Sequence, residues 1–69
     1  MGVLVKRSFT LAGHRTSVAL ELEFWEALTA LAAERHVSVA TLVAEVDAGR
    51  PPQRPLASAL RVHALRRGR

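Results

Sequence analysis

The sequence predicts an α+β domain: one short strand, then short amphipathic helices, completed by a second copy of the chain. Three observations carry this. Residues 15–20 alternate with period two, which marks a half-buried strand. Residues 22–35 and 38–48 then switch to helical spacing. The chain has 69 residues and no cysteine, so it has a small core and no disulfide to close it. Apolar residues make up 49%, but 12 of them are alanine and bury little area. A two-fold assembly is the remaining source of stability.

In the strand, Arg15, Ser17 and Ala19 share one face, and Thr16, Val18 and Leu20 share the other. Val18 and Leu20 are the expected buried pair. The strand stands alone, and its backbone edges need partners either in residues 1–13 or in another chain. Residues 1–13 read as an N-terminal arm or a short strand. Ser8-Phe9-Thr10-Leu11 alternates briefly, and Ala12-Gly13 follows as a turn or bulge.

Helix 22–35 places Phe24, Leu28 and Leu31 on one stripe, with Trp25 and Ala32 widening it. Glu21, Glu23 and Glu26 sit at its start, where the helix dipole favours acids. A stop is expected around Arg35-His36-Val37. Ser38 is the natural N-cap of a second helix with Leu42, Val43 and Val46 inward, and Gly49 is its expected C′ residue. Pro51-Pro52 forbids continuation. Pro55 then opens a third short helix over 55–66, with Ala57, Leu60 and Ala64 on one side and Leu65 beside them.

One strand and two short helices have few ways to cover themselves. The arrangement that satisfies the strand is an intertwined homodimer: a two-stranded antiparallel intermolecular ribbon, with four helices over its inner face. Val18, Leu20, Phe24, Trp25, Leu28, Leu31, Leu42, Val43 and Val46 form the expected dimer core.

The net charge of +4 hides a segregation. Residues 1–20 carry +3, residues 21–47 carry −5 and residues 48–69 carry +6. Nine of the ten basic residues are arginine, whose planar fork suits phosphates and guanine edges. Basic ends around an acidic centre point to a polyanion. Nothing in the sequence reads as a targeting peptide or a membrane span, and a cytoplasmic protein is expected. The three histidines lie far apart, and no serine, histidine and acid set has nucleophile spacing. Neither catalysis, nor a metal site, nor a cofactor is expected.

The pattern resembles the ribbon-helix-helix DNA-binding superfamily. A polar strand ends in Leu20, an apolar-spaced helix follows, and Val37-Ser38 opens the second helix. More narrowly, it is similar to a compact branch of that superfamily familiar from alphaproteobacteria. The residues that carry this are Lys6-Arg7-Ser8-Phe9, Gly13-His14-Arg15-Thr16-Ser17, Leu20-Glu21-Leu22-Glu23-Phe24-Trp25 and Leu56-Ala57-Ser58-Ala59-Leu60-Arg61.

The resemblance implies a sequence-specific binder of double-stranded DNA, acting as a homodimer and a transcriptional regulator of the repressor kind. It places Arg15, Ser17 and Ala19 in the major groove, and it puts a phosphate on Ser38 and the backbone amides of Val39 and Ala40. Ala19 departs from the polar residue many relatives carry there, which leaves an apolar contact to a thymine methyl. The tail from Arg50 onward is longer than in the simplest members. Lys6, Arg7 and Arg67 are expected to add phosphate attraction without sequence choice. The alternative function is a protein-interaction module, an antitoxin or adaptor whose residues 55–66 fold on a partner protein.

Overall fold

The computed structural model describes residues 3–67, with Arg67 described by its backbone alone. Two strands, β1 (Leu4–Leu11) and β2 (His14–Glu21), are followed by α1 (Leu22–Glu34), α2 (Val39–Gly49) and α3 (Leu56–Arg67). The strands form one antiparallel two-stranded sheet, running from the pair Leu4 and Glu21 to the pair Leu11 and His14.

The α+β ribbon-helix-helix architecture is present, but the ribbon expected between two copies is closed within one chain. Residues 4–11 are a strand rather than a loose arm, and they occupy an edge of β2. The cause is local. Ala12 and Gly13 have φ of 51° and 81°, as a two-residue type I′ turn requires, and that turn matches the right-handed twist of the strands. A tight turn makes the neighbouring strand the nearest partner, with the smallest loop to close.

The hairpin lays one face on the helices. Leu11, Val18 and Leu20 are buried, and Val5 and Phe9 pack against them. Trp25 of α1 holds β1 in place: it is 1% exposed, and its indole N–H donates to the Val5 carbonyl at 2.8 Å. The Phe9 ring lies 5.9 Å from the Trp25 ring, tilted by 36°. The Arg7 guanidinium sits 5.1 Å over that same ring.

Leu28 and Ala32 of α1, Leu42 and Val43 of α2, and Leu56, Leu60 and Ala64 of α3 complete the core. The side chains expected at a dimer interface thus meet inside one chain, with Phe24, Leu31 and Val46 half-buried at its margin. The third helix faces the core with Leu56, Ala59, Leu60 and Ala64. Leu65, expected beside them, is 63% exposed, because it follows Ala64 by one residue and so lies about 100° round the helix.

The helix ends show two kinds of stop. After α1, His36 adopts φ 58°, Val37 N–H donates to Ala32 O at 3.0 Å, and His36 N–H donates to Ala33 O at 3.1 Å. These are the two bonds of a Schellman closure, with a non-glycine residue at its left-handed position. The end of α2 differs from expectation. Gly49 is the last helical residue rather than a left-handed C′, and Arg50 is extended at φ −77°, ψ 147°. Pro51 explains this, since a residue before proline is pushed out of the helical region. Pro55 stands just before α3, and its carbonyl accepts from the Ala59 N–H at 3.0 Å.

Candidate nucleic-acid interface

The pleat sorts the hairpin into two faces. Opposite the helices, β1 presents Lys6, Ser8 and Thr10, while β2 presents Arg15, Ser17 and Ala19 in register as Lys6 with Ala19, Ser8 with Ser17 and Thr10 with Arg15. All are exposed except Ala19, which is half-buried. Leu11 and His14 flank a two-residue turn and so form a hydrogen-bonded pair. The alternation of antiparallel pairing then makes these three pairs, and Leu4 with Glu21 beyond them, non-hydrogen-bonded, with their side chains close together.

The contacts fit that geometry. Ser8 Oγ and Ser17 Oγ are 3.0 Å apart, and an Arg15 Nη donates to Thr10 Oγ1 at 3.5 Å, the long limit of such a bond. These six side chains cover about 14 Å along the strands and about 5 Å across them. A B-DNA major groove is about 12 Å wide and admits such a ribbon.

The basic side chains of this face are not matched by acids among the described residues. Among the described residues, Lys6, Arg7 and Arg15 make no ion pair, whereas three other arginines are engaged by the chain's own acids. Arg61 meets Glu21 at 3.0 Å, Arg35 meets Glu45 at 2.8 Å and Arg50 meets Asp47 at 2.9 Å. Glu21, at the base of the ribbon, is held below the usual carboxylate range by a hydrogen bond from its own backbone amide and by the Arg61 guanidinium. Glu45 is lowered in the same direction, chiefly by the hydrogen bond from Arg35. Two of these pairs, Arg61 with Glu21 and Arg50 with Asp47, join the basic C-terminal segment to the acidic centre on folding. The basic charge on the ribbon has no such partner among the described residues.

The remaining residues expected at a nucleic acid fall elsewhere. Arg7 lies across the pleat from Lys6 and is engaged with Trp25, so the two neighbours do not act on one surface. Ser38 is the N-cap of α2: its Oγ accepts from Thr41 N–H at 3.0 Å and donates to Thr41 Oγ1 at 2.9 Å. Val39 and Ala40 open that helix, half-buried and exposed respectively. The side chain of Arg67, at the end of α3, lies outside the described residues.

Sequence reasoning passed over Lys6, Ser8 and Thr10 as members of one polar face. The signal was present: a polar residue at every second position from 6 to 10, ending at a two-residue turn that contains glycine.

A polar two-stranded ribbon backed by short helices defines a class of small DNA-binding domains. The chain belongs to the ribbon-helix-helix domain family, whose model it matches over residues 4–67. Domains of this family generally bind DNA and regulate transcription, are typically dimeric, and are regulators rather than enzymes. It is similar to a solved structure, that of an uncharacterized protein from Bordetella pertussis Tohama I, at 32% identity and a TM-score of 0.80. The match covers 96% of this chain and 56% of that one, so the chain spans little more than half of its neighbour's length. No curated protein matches the sequence. Among the described residues no helix is long and apolar enough to cross a membrane, and no three histidine or acidic side chains cluster as metal ligands.

Proposed function

We propose that the chain binds double-stranded DNA sequence-specifically as a homodimer, laying the outward face of its ribbon into the major groove, and that it regulates transcription in the bacterial cytoplasm. The observation that carries this is the uncovered face built from Lys6, Ser8, Thr10, Arg15, Ser17 and Ala19. It is polar, positively charged, and free of any unpaired carboxylate among the described residues.

Arg15 is the base reader. It stands next to the turn, at the tip of the ribbon, and a guanidinium fork matches the O6 and N7 acceptors of guanine. Ser17 and Ser8 share one hydrogen bond that a base edge can replace. Ala19 offers its methyl to a thymine methyl, and Lys6 opposite it supplies a phosphate contact. The amides of Val39 and Ala40 and the capped Ser38 suit a phosphate oxygen at the start of α2. Repression then follows from occupying a site that the transcription machinery needs.

A homodimer doubles the number of groove contacts, and with a ribbon in each chain it would bring two ribbons to the duplex. The competing assignment, in which residues 55–66 fold on a partner protein, has less support. Leu56, Ala59, Leu60 and Ala64 are already in the chain's own core.

The test is selection of duplexes from a random library by the purified protein, followed by binding isotherms on the selected and scrambled sites. Enrichment of a site, with Arg15→Ala losing about 1–3 kcal/mol of preference at one base pair, is the expected result. Lys6→Ala should weaken all duplexes alike and lower the salt slope by about one. Binding without enrichment, or an Arg15 variant with unchanged preference, overturns the reading.

A further inference from the structure

Away from the ribbon, the last turn of α2, the loop at residues 50–54 and one side of α3 enclose a cleft of about 540 Å³. Small-molecule sites range over about 300–1,000 Å³. No ribbon residue lines the cleft. Val46, Ala59 and Val62 give it an apolar floor, and Arg50, Arg54 and Arg66 stand around that floor.

The charges there are of two kinds. Glu45 is held by Arg35 through two contacts, at 2.8 and 3.2 Å. Arg50 donates to Asp47 at 2.9 Å and to the carbonyl of Arg54 at 2.7 Å, which ties the loop to the helix and shapes the rim. These groups are matched within the chain. Arg54 and Arg66 are not: both are exposed, and among the described residues neither has a carboxylate within ion-pair distance.

The geometry points to a binding site for a small organic anion, a carboxylate or phosphate carrying a compact apolar body. Arg54 and Arg66 would hold the anionic head, and Val46, Ala59 and Val62 would cover the body. The two requirements are linked by the shape of the cleft. A bare ion leaves the floor in water, and a neutral apolar molecule covers it without answering the two cations at its edge. A guanidinium fork binds either oxyanion through paired hydrogen bonds, so the head is fixed by charge and geometry and the body by area. This site is separate from the DNA-reading face and does not depend on it.

The probe is phenyl phosphate, added to the full chain at constant ionic strength and followed by two-dimensional NMR, with inorganic phosphate as the comparison. The expected result is saturable shifts confined to Val46, Ala59, Val62 and the Arg54 and Arg66 side chains, with Arg15 and Ser17 undisturbed. Phenyl phosphate should bind at least tenfold more tightly than inorganic phosphate. The double variant Arg54→Gln, Arg66→Gln replaces two exposed side chains and should melt like the parent, with affinity reduced at least tenfold. Equal binding of the two phosphates overturns the role of the floor. Shifts spread over every basic residue, the ribbon included, or unchanged affinity in a folded double variant, overturn the site.

Discussion

The two faces of the hairpin divide sixteen strand residues between opposite surroundings. On the inner face Val5, Phe9, Leu11, Val18 and Leu20 meet the helices, and Trp25 fastens β1 through a ring contact and a hydrogen bond. On the outer face Lys6, Ser8, Thr10, Arg15 and Ser17 stay exposed, and their hydrogen bonds, Ser8 with Ser17 and Arg15 with Thr10, run between the strands. Core packing and the exposed polar surface therefore fall on alternate residues, and on the proposed function neighbours in sequence have unrelated jobs. A substitution at an inner position should unfold the ribbon, and one at an outer position should leave the fold intact.

The comparison is broken most severely at Trp25. Trp25→Ala removes a buried ring and the donor to Val5, and should cost about 3–5 kcal/mol. A chain of this size has roughly 3–10 kcal/mol in total, so chemical denaturation should find the variant largely unfolded. Trp25→Phe keeps most of the ring area and loses the N–H bond, for about 1 kcal/mol. Arg15→Ala, three residues from buried Val18, should change denaturation by less than about 0.5 kcal/mol while altering base preference. A melting curve beside a binding isotherm checks both halves of that statement.

Acid should loosen the joint between ribbon and α3. Glu21 and Glu45 have their folded pKa values depressed below the ordinary 4.5. Their contribution is thus present above that value and is lost as pH falls through the lower folded one. Stability measured from pH 6 downward should drop below about pH 4.5, and Glu21→Gln should flatten part of that drop. Glu45 is exposed and Glu21 only half-buried, so the change should be small.

The smallest effect is a gain. His36→Gly places the residue suited to a left-handed φ at the closure of α1, and should raise stability by about 1 kcal/mol, read from the denaturation midpoint. No change there would mean that His36 is held by contacts other than its backbone geometry.

Much of this architecture was legible because it depends on neighbours in sequence. Helical spacing found the inward positions Leu28, Leu42, Val43 and Leu60, one or two on each helix. Serine before a helical run found the N-cap at Ser38, which the bond to Thr41 N–H realises. The resemblance in the strand found the ribbon-helix-helix family. What was missed depends on pairing at a distance. The partner strand looked like a second chain's because residues 4–11 mix Lys6 and Arg7 into an otherwise weak alternation. Only the positive φ at Ala12 and Gly13 turns that segment back onto β2. The outward-facing set was half visible for the same reason: Arg15, Ser17 and Ala19 lie on the evident strand, while Lys6, Ser8 and Thr10 lie on the strand that the turn creates. The charge pattern misled in a similar way. Arg61 and Glu21 are 40 residues apart and neutralise one another only after α3 returns to the base of the ribbon.

By itself the sequence determined the helical periods, the Ser38 cap and the family, since these rest on local sterics and on alternation along a single element. Tertiary structure decided which strand closes the ribbon, which arginines stay unpaired and where the core of Trp25, Leu20 and Leu60 forms. Those outcomes turn on long-range closure and on competition between partners, and that competition is settled only when all five elements pack together.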